Sequence, residues 1–322
     1  MSEHVRAAFE HRAPTRLPRG ELWIGTTVFE EHQIEDNVDA QLELCQEMGM
    51  DLISLPVGGL QLSPWEYRQF SPADIEKVAH SDLFVVAVVS GPFQRVVDKR
   101  GLGPTLADVG RDTGEIREAL RDEVQELGCL IDMCTERGAD AVVTADDLAY
   151  NRATFFSPAV FRQLIHPFYR GLVDRVHRGG AYAIFHSDGN ITGIVPDIVS
   201  SGFDGLSCQE ECIDILSLKR TYGSQLTLLA GLSCELLNAR SLTARRRQRF
   251  IERIWSLSGG GGLILSSSSG IHSTRMLHNA GRLYHLADEA LTQRGAYDSM
   301  GEKGGGAESK DRPGLHSPRE IV

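Results

Sequence analysis

The chain has 322 residues, 41% of them hydrophobic, and sets 33 basic against 44 acidic side chains for a formal charge of −11. That is enough apolar material for one large α/β domain or two ordinary ones, and the acidic balance gives no electrostatic reason to expect nucleic acid. No apolar run reaches the roughly 18–20 residues that span a bilayer, and residues 1–19 are too polar and charged for a secretory signal.

Taken in order, the chain alternates strand-like and helix-like segments. Residues 1–20 read as a helical or flexible extension. Residues 22–29 read as a first strand and 34–48 as a helix. Residues 51–57 form a second strand, followed by a helical region over 63–80, and 83–90 a third strand. Residues 114–137 carry a long amphipathic stripe through Ile116, Leu120, Val124, Leu127 and Leu130. A fourth strand at 140–146 precedes a helix at 157–178 with Pro158 in its first turn. A fifth strand at 181–186 precedes a helix at 192–200. A sixth strand at 203–209 and a helix at 212–221 follow. The seventh strand is 226–232, followed by an Arg-rich helix at 241–257. The eighth is 262–267, followed by a closing helix at 273–293. From 295 to 322 the composition turns polar and rich in Gly, Lys, Glu and Pro, which predicts a disordered tail.

Eight strands each followed by a helix predict a single (β/α)8 TIM barrel over residues 21–294. An open doubly wound sheet would need a glycine fingerprint after the first strand, and Gly25-Thr26-Thr27 is not one. The six cysteines are scattered, so they are expected as reduced thiols in a cytoplasmic protein.

In such a barrel the chemistry sits at the carboxyl ends of the strands. Those ends supply Thr26 and Thr27; Ser90; Asp146, Asp147 and Tyr150; His186, Asp188 and Asn190; Cys208, Gln209, Glu210 and Glu211; Cys234; and Ser266 to Ser269 with His272. The fifth strand is the most telling, because an apolar run stops at His186-Ser187-Asp188-Gly189. Plainer readings stand beside each candidate. Asp146 and Asp147 suit helix caps, and Glu210 and Glu211 a first helical turn. Asp188-Gly189 suits a turn, and Cys208 a small buried thiol. The glycines at 259–262 suit a helix end and a tight turn into the last strand. His, Cys, Asp and Glu on adjacent strand ends would also suit an open three-ligand zinc site, although there is no Cys-x-x-Cys or His-Glu-x-x-His spacing.

These residues resemble the uroporphyrinogen decarboxylase superfamily, which includes zinc-dependent, corrinoid-linked methyltransferases. The resemblance runs over residues 16–290. It is carried by Gly138-Ala139-Asp140 through Asp146-Asp147, Phe156-Ser157-Pro158, Ile184-Phe185-His186-Ser187-Asp188-Gly189-Asn190, Gly202-Phe203-Asp204-Gly205, Leu229-Ala230-Gly231 and Gly270-Ile271-His272. It implies a (β/α)8 barrel.

The arginine-bearing stretch with which decarboxylases of this family grip propionates is replaced by Trp23-Ile24-Gly25-Thr26-Thr27, so the resemblance favours the methyltransferase branch. There the family's His-x-Cys becomes His186-Ser187-Asp188, and Ser269 stands near the final cysteine, so His186 alone carries over. If a metal binds, the expected set is His186 with Asp188, Cys208 and either Glu210 or Glu211, with zinc as the ion. The implied catalytic residues are Asp146, Asp147 and His186, with Thr27, Tyr150, Asn190, Ser269 and His272 toward the substrate. The implied reaction moves a methyl group between a small molecule and a corrinoid on a separate docking protein, and relatives of this kind are often homodimers. A decarboxylase with a different substrate, or a non-catalytic tetrapyrrole binder, are the alternatives.

Overall fold

The structure is a computed structural model that describes residues 2–13, 15–59 and 67–303, with side chains described as far as 293. Its strands are β1 (Leu52–Pro56), β2 (Phe84–Ser90), β3 (Ala141–Ala145), β4 (Ala149–Tyr150), β5 (Ala153–Thr154), β6 (Tyr182–Ser187), β7 (Gly205–Cys208), β8 (Thr227–Leu232) and β9 (Leu263–Ser267). Seven of them form one curled parallel sheet in the order β1-β2-β3-β6-β7-β8-β9, while β4 and β5 make a small antiparallel hairpin. Helices connect the parallel strands, as parallel pairing requires.

The strands read as apolar runs because both faces are covered. Along β2, Phe84, Val86 and Val88 join an inner cluster with Ala141, Val143, Ile184, Leu229 and Ile264. The alternate residues Val85, Ala87 and Val89 join the larger layer between sheet and helices. The two-residue side-chain period of a strand thus sorts one hydrophobic run into two cores. Burying a side chain of this size contributes about 1.5–3 kcal/mol.

The helix Ser2–Phe9 plugs the amino-terminal end of this inner core. Phe9 stacks on Tyr182 at 4.3 Å and on Phe84 at 5.9 Å. The Thr227 hydroxyl donates to the Ala8 carbonyl at 3.0 Å. The expected extension is therefore part of the core.

The expected first strand is the main departure, so the sheet has seven regular strands where eight were predicted. Residues 19–24 make only isolated parallel bridges among the described residues, Arg19 with Leu265 just ahead of the expected strand and Ile24 with Ile271 within it. They still reach both sheet edges. Gly20 N donates to Leu265 O at 3.1 Å, and Asp51 N to Arg19 O at 2.7 Å. The ladder stops there because the next donor on the β9 side, Ser267 N, is taken by the Glu21 carboxylate at 2.9 Å, and on the β1 side the Ser54 hydroxyl donates to the Leu22 carbonyl at 2.9 Å. The chain then turns into the helix Thr26–Glu31, where the sequence pattern predicted continued strand.

Other boundaries shift for local reasons. The helix expected at 34–48 is Val38–Glu47, because the Asn37 side chain caps Asp39 N and Ala40 N. The helix expected at 157–178 is two helices, Pro158–Leu164 and His166–Arg178, with Pro167 in the first turn of the second. The helices Pro92–Arg100 and Leu102–Arg111 were not anticipated. Of the helical region expected at 63–80, the structure has Pro72–Val78, and residues 63–66 lie outside the described residues. The closing helix runs from Thr274 to Lys303, past the expected end. The tail at 304–322 lies outside the described residues.

Candidate active site

Parallel register sets the site. Ser90 pairs with Ala145, Ala145 with His186 and His186 with Ser207, forming one row across β2, β3, β6 and β7. Ile184, Val143 and Ala145 of the same inward-facing set belong to the inner core, so His186 crowns an apolar plug. Its Nδ1 shares a 2.9 Å hydrogen bond with the Ser207 hydroxyl. Trp23 packs edge-on against the imidazole, with ring centroids 4.2 Å apart. Burial pushes its pKa down to about 3, so the ring is neutral at physiological pH.

Asp188 lies just past the strand end, with Oδ1 at 3.9 Å from His186 Nε2. Nearly half of the side chain is open, at 48% exposure, yet Oδ1 is sealed from solvent and, among the described residues, meets no hydrogen-bond donor. Burial, with Asp147 and Glu211 nearby, raises its pKa to about 7. Asp147 Oδ1 accepts the backbone N–H of Asp188 at 2.9 Å, and burial raises this acid as well. Glu211 is exposed and accepts from Cys234 N at 2.8 Å and from the Ser268 hydroxyl at 3.2 Å.

Asp146, one residue from Asp147, is wholly buried and does different work. It accepts from Phe93 N at 3.2 Å, Gln94 N at 2.6 Å and the Tyr169 hydroxyl at 2.7 Å. It thus caps the helix Pro92–Arg100, whose own cap residue Gly91 has no side chain. A Cβ at Gly91 would collide with the Asp146 carboxylate, so the glycine makes room for the acid. Sequence analysis expected a cap as the plainer role of this aspartate, and the helix it caps follows a different strand.

The expected four-residue metal set is not brought together. Among the described residues, no three His, Cys, Asp or Glu side chains are placed to hold a metal ion. Strand alternation explains Cys208: it pairs with Ser187, one step along from the His186–Ser207 pair, and lies in the outer layer. Burial and nearby acids raise its thiol far above the ordinary value. Glu210 is committed elsewhere, accepting from Gly231 N and pairing with Arg253. Only His186 and Asp188 remain side by side, so these residues do not fit zinc.

The other expected substrate contacts scatter. Thr27 is exposed on the helix Thr26–Glu31. Tyr150 is exposed on the β4–β5 hairpin and stacks on Phe155. Asn190 accepts from Thr192 N at 3.1 Å, a local turn contact. Ser269 bonds the Cys234 thiol and accepts from His272 through its carbonyl. His272 is buried, 3.3 Å from the Tyr67 hydroxyl, and burial lowers its pKa. Sequence reasoning missed Trp23, Ser207 and Tyr67. Stepping one residue back from Cys208, the end of β7, reaches the opposite face of the strand and Ser207, which pairs with His186.

The sequence profile of the uroporphyrinogen decarboxylase (URO-D) family matches residues 73–290. A methylcobamide:CoM methyltransferase, MtaA, of Methanosarcina barkeri is 24% identical over 158 residues, covering 49% of this chain and 45% of that protein. The match thus spans about half of the curated relative. The solved structure of a methyltransferase from Methanosarcina mazei superposes with a TM-score of 0.71 at 17% identity, covering 89% of this chain and 98% of that one. At that identity the likeness establishes the fold, a TIM-barrel-like architecture. With two thirds of its length matched by the family profile, the chain belongs to the uroporphyrinogen decarboxylase family.

Proposed function

We propose that the protein is a methyltransferase that moves a methyl group between a small molecule and a corrinoid carried by a docking partner, with the chemistry at the mouth of a barrel whose irregular eighth stave is the segment 18–25. The observation that carries this reading is the pairing of a neutral, buried His186 with Asp188 Oδ1 at 3.9 Å, at the strand ends where such barrels act. When docked, the corrinoid would supply the cobalt that gives or takes the methyl group. Asp188, open on one side, would take the proton from the heteroatom that accepts the methyl. His186 would hold that heteroatom in line, its ring fixed by Ser207 and Trp23. Asp147 would position the Asp188 backbone. No step requires zinc.

Free methylcobalamin can stand in for the carried corrinoid. The expected result is acceptor-dependent loss of the methyl-cobalt absorbance, abolished in Asp188→Asn. Absence of transfer to thiol, alcohol and amine acceptors alike, from free methylcobalamin and from corrinoid proteins expressed with it, would overturn the proposal.

A further inference from the structure

The mouth holds a charge pattern that the methyl-transfer reading leaves unexplained. Asp147, Asp188 and Glu211 form an acidic group, and among the described residues none of them pairs with a lysine or arginine; the one cationic candidate near Asp188 is His186, which is neutral. Other buried acids are neutralised, as Glu210 is by Arg253 and Glu123 by Arg95, or are held by several hydrogen-bond donors, as Asp146 and Glu21 are. Beside the acids stand aromatic rings. Trp23 and Tyr67 pack on the same inner cluster, and Tyr67 is close enough to feel the Asp188 charge.

Among the described residues, three buried polar atoms here have no partner: Trp23 Nε1, Ser90 Oγ and Asp188 Oδ1. Trp23 is 3% exposed and lies against His186, and Ser90 is 3% exposed in the same strand row as His186. An orphaned acceptor calls for a donor, and orphaned N–H and O–H groups call for an acceptor, because leaving them unpaired in a dry site is costly. Acids and aromatic rings together attract a cation and repel an anion.

We propose that this mouth takes a small organic ammonium ion bearing one hydrogen-bonding heteroatom: the ammonium against Asp188, Asp147 and the rings of Trp23 and Tyr67, and the heteroatom toward Trp23 Nε1 and Ser90 Oγ. This names a substrate class for the site and rests on placing the active site at the mouth.

The test is direct binding without corrinoid, read by tryptophan fluorescence and by melting temperature. The probes are dimethylaminoethanol, protonated at neutral pH, and mercaptoethanesulfonate as an anion of similar size. The ammonium should bind about tenfold or more tightly than the anion, a ratio that falls as salt screens the acids. Trp23→Phe, which keeps the ring and loses the N–H, should weaken binding several-fold. Asp147→Asn, which keeps the acceptor for Asp188 N, should do the same. Equal or tighter binding of the sulfonate, or unchanged ammonium binding in both variants, overturns the inference. Ammonium binding with no methyl transfer would overturn the proposed reaction and leave this inference standing. Methyl transfer to the anion with no ammonium binding would do the reverse.

Discussion

The two ends of the barrel use the same residue type for opposite purposes. At the amino-terminal end, Asp51, Asp140 and Asp204 each stand one residue before a strand and each accept a backbone N–H from a neighbouring segment: Arg19, Val85 and Ala183 respectively. Each is also paired with a basic side chain, Arg16, Arg6 and His177 in turn. At the carboxyl end, Asp147, Asp188 and Glu211 crowd together with no lysine or arginine partner among the described residues, beside buried polar atoms that lack hydrogen bonds there. A paired acid that ties a strand entry to its neighbour is a stabilising device. An unpaired group of acids opposes folding, and in the proposed function it serves a ligand. Two of the segments by which the sequence resembled its family, Gly138-Ala139-Asp140 and Gly202-Phe203-Asp204, therefore report on the stable end.

The sharpest way to break the comparison is to exchange effects between the ends. His186→Ala is expected to lower turnover by about 10²–10⁴-fold, the range for losing a positioned polar catalytic group, with little change in the melting curve. Full turnover in this variant would remove the mouth from the mechanism. Asp51→Ala should do the opposite. Its carboxylate is 0% exposed and holds both Arg16 and the Arg19 backbone, so its loss should cost about 3 kcal/mol in urea unfolding. Turnover at low temperature should be kept. A destabilisation under about 1 kcal/mol would show that the pair offsets its own desolvation and no more.

How much of this was legible in the sequence follows the same division. Seven strands could be read, because a strand covered on both faces is a short apolar run, and β2 with its seven buried residues is the clearest case. The eighth could not, because its apolar residues 22–24 resemble a strand, whereas two side chains, Glu21 and Ser54, occupy Ser267 N and Leu22 O, where the ladder would have continued. At the site, His186 and Asp188 were visible as an abrupt polar stop. The roles of Cys208 and Glu210 were not, since a one-residue step decides which face of the sheet a strand residue joins, and a long-range partner such as Arg253 leaves no local mark. The cap made by Asp146 was half legible, as a cap of the wrong helix.

A smaller effect tests the packing that carries Asp188. Gly189 has φ of +77°, and a Cβ there would lie 2.6 Å from the Ala149 carbonyl carbon and oxygen of the β4–β5 hairpin. Gly189→Ala is expected to cost about 1–3 kcal/mol from backbone strain and the clash. It should lower turnover partly, by displacing Asp188, and restoring glycine should return both. If stability falls while turnover is unchanged, the hairpin does not position the acid.

The smallest effect concerns pH, and it draws on two acids buried against the layer between sheet and helices. Burial raises both Asp146 and Glu21 to about 7, whereas each titrates near 4 in an unfolded chain. Between those values the folded protein holds protons that the unfolded chain has released. The stability these two groups contribute is therefore fully present below about pH 4 and is lost as pH rises to 7, above which both states are deprotonated and the cost of two buried charges remains. Unfolding midpoints in urea should thus be higher at pH 5 than at pH 8. Asp146→Asn should flatten that slope without the collapse expected of an alanine, because the amide oxygen can still accept from Gln94 N and Phe93 N. A slope unchanged in Asp146→Asn and in Glu21→Gln would mean that both acids are ionised in the folded protein, held so by Tyr169 and by Ser267 and Tyr284. The interior would then tolerate at its core the unneutralised charge that the comparison confines to the mouth.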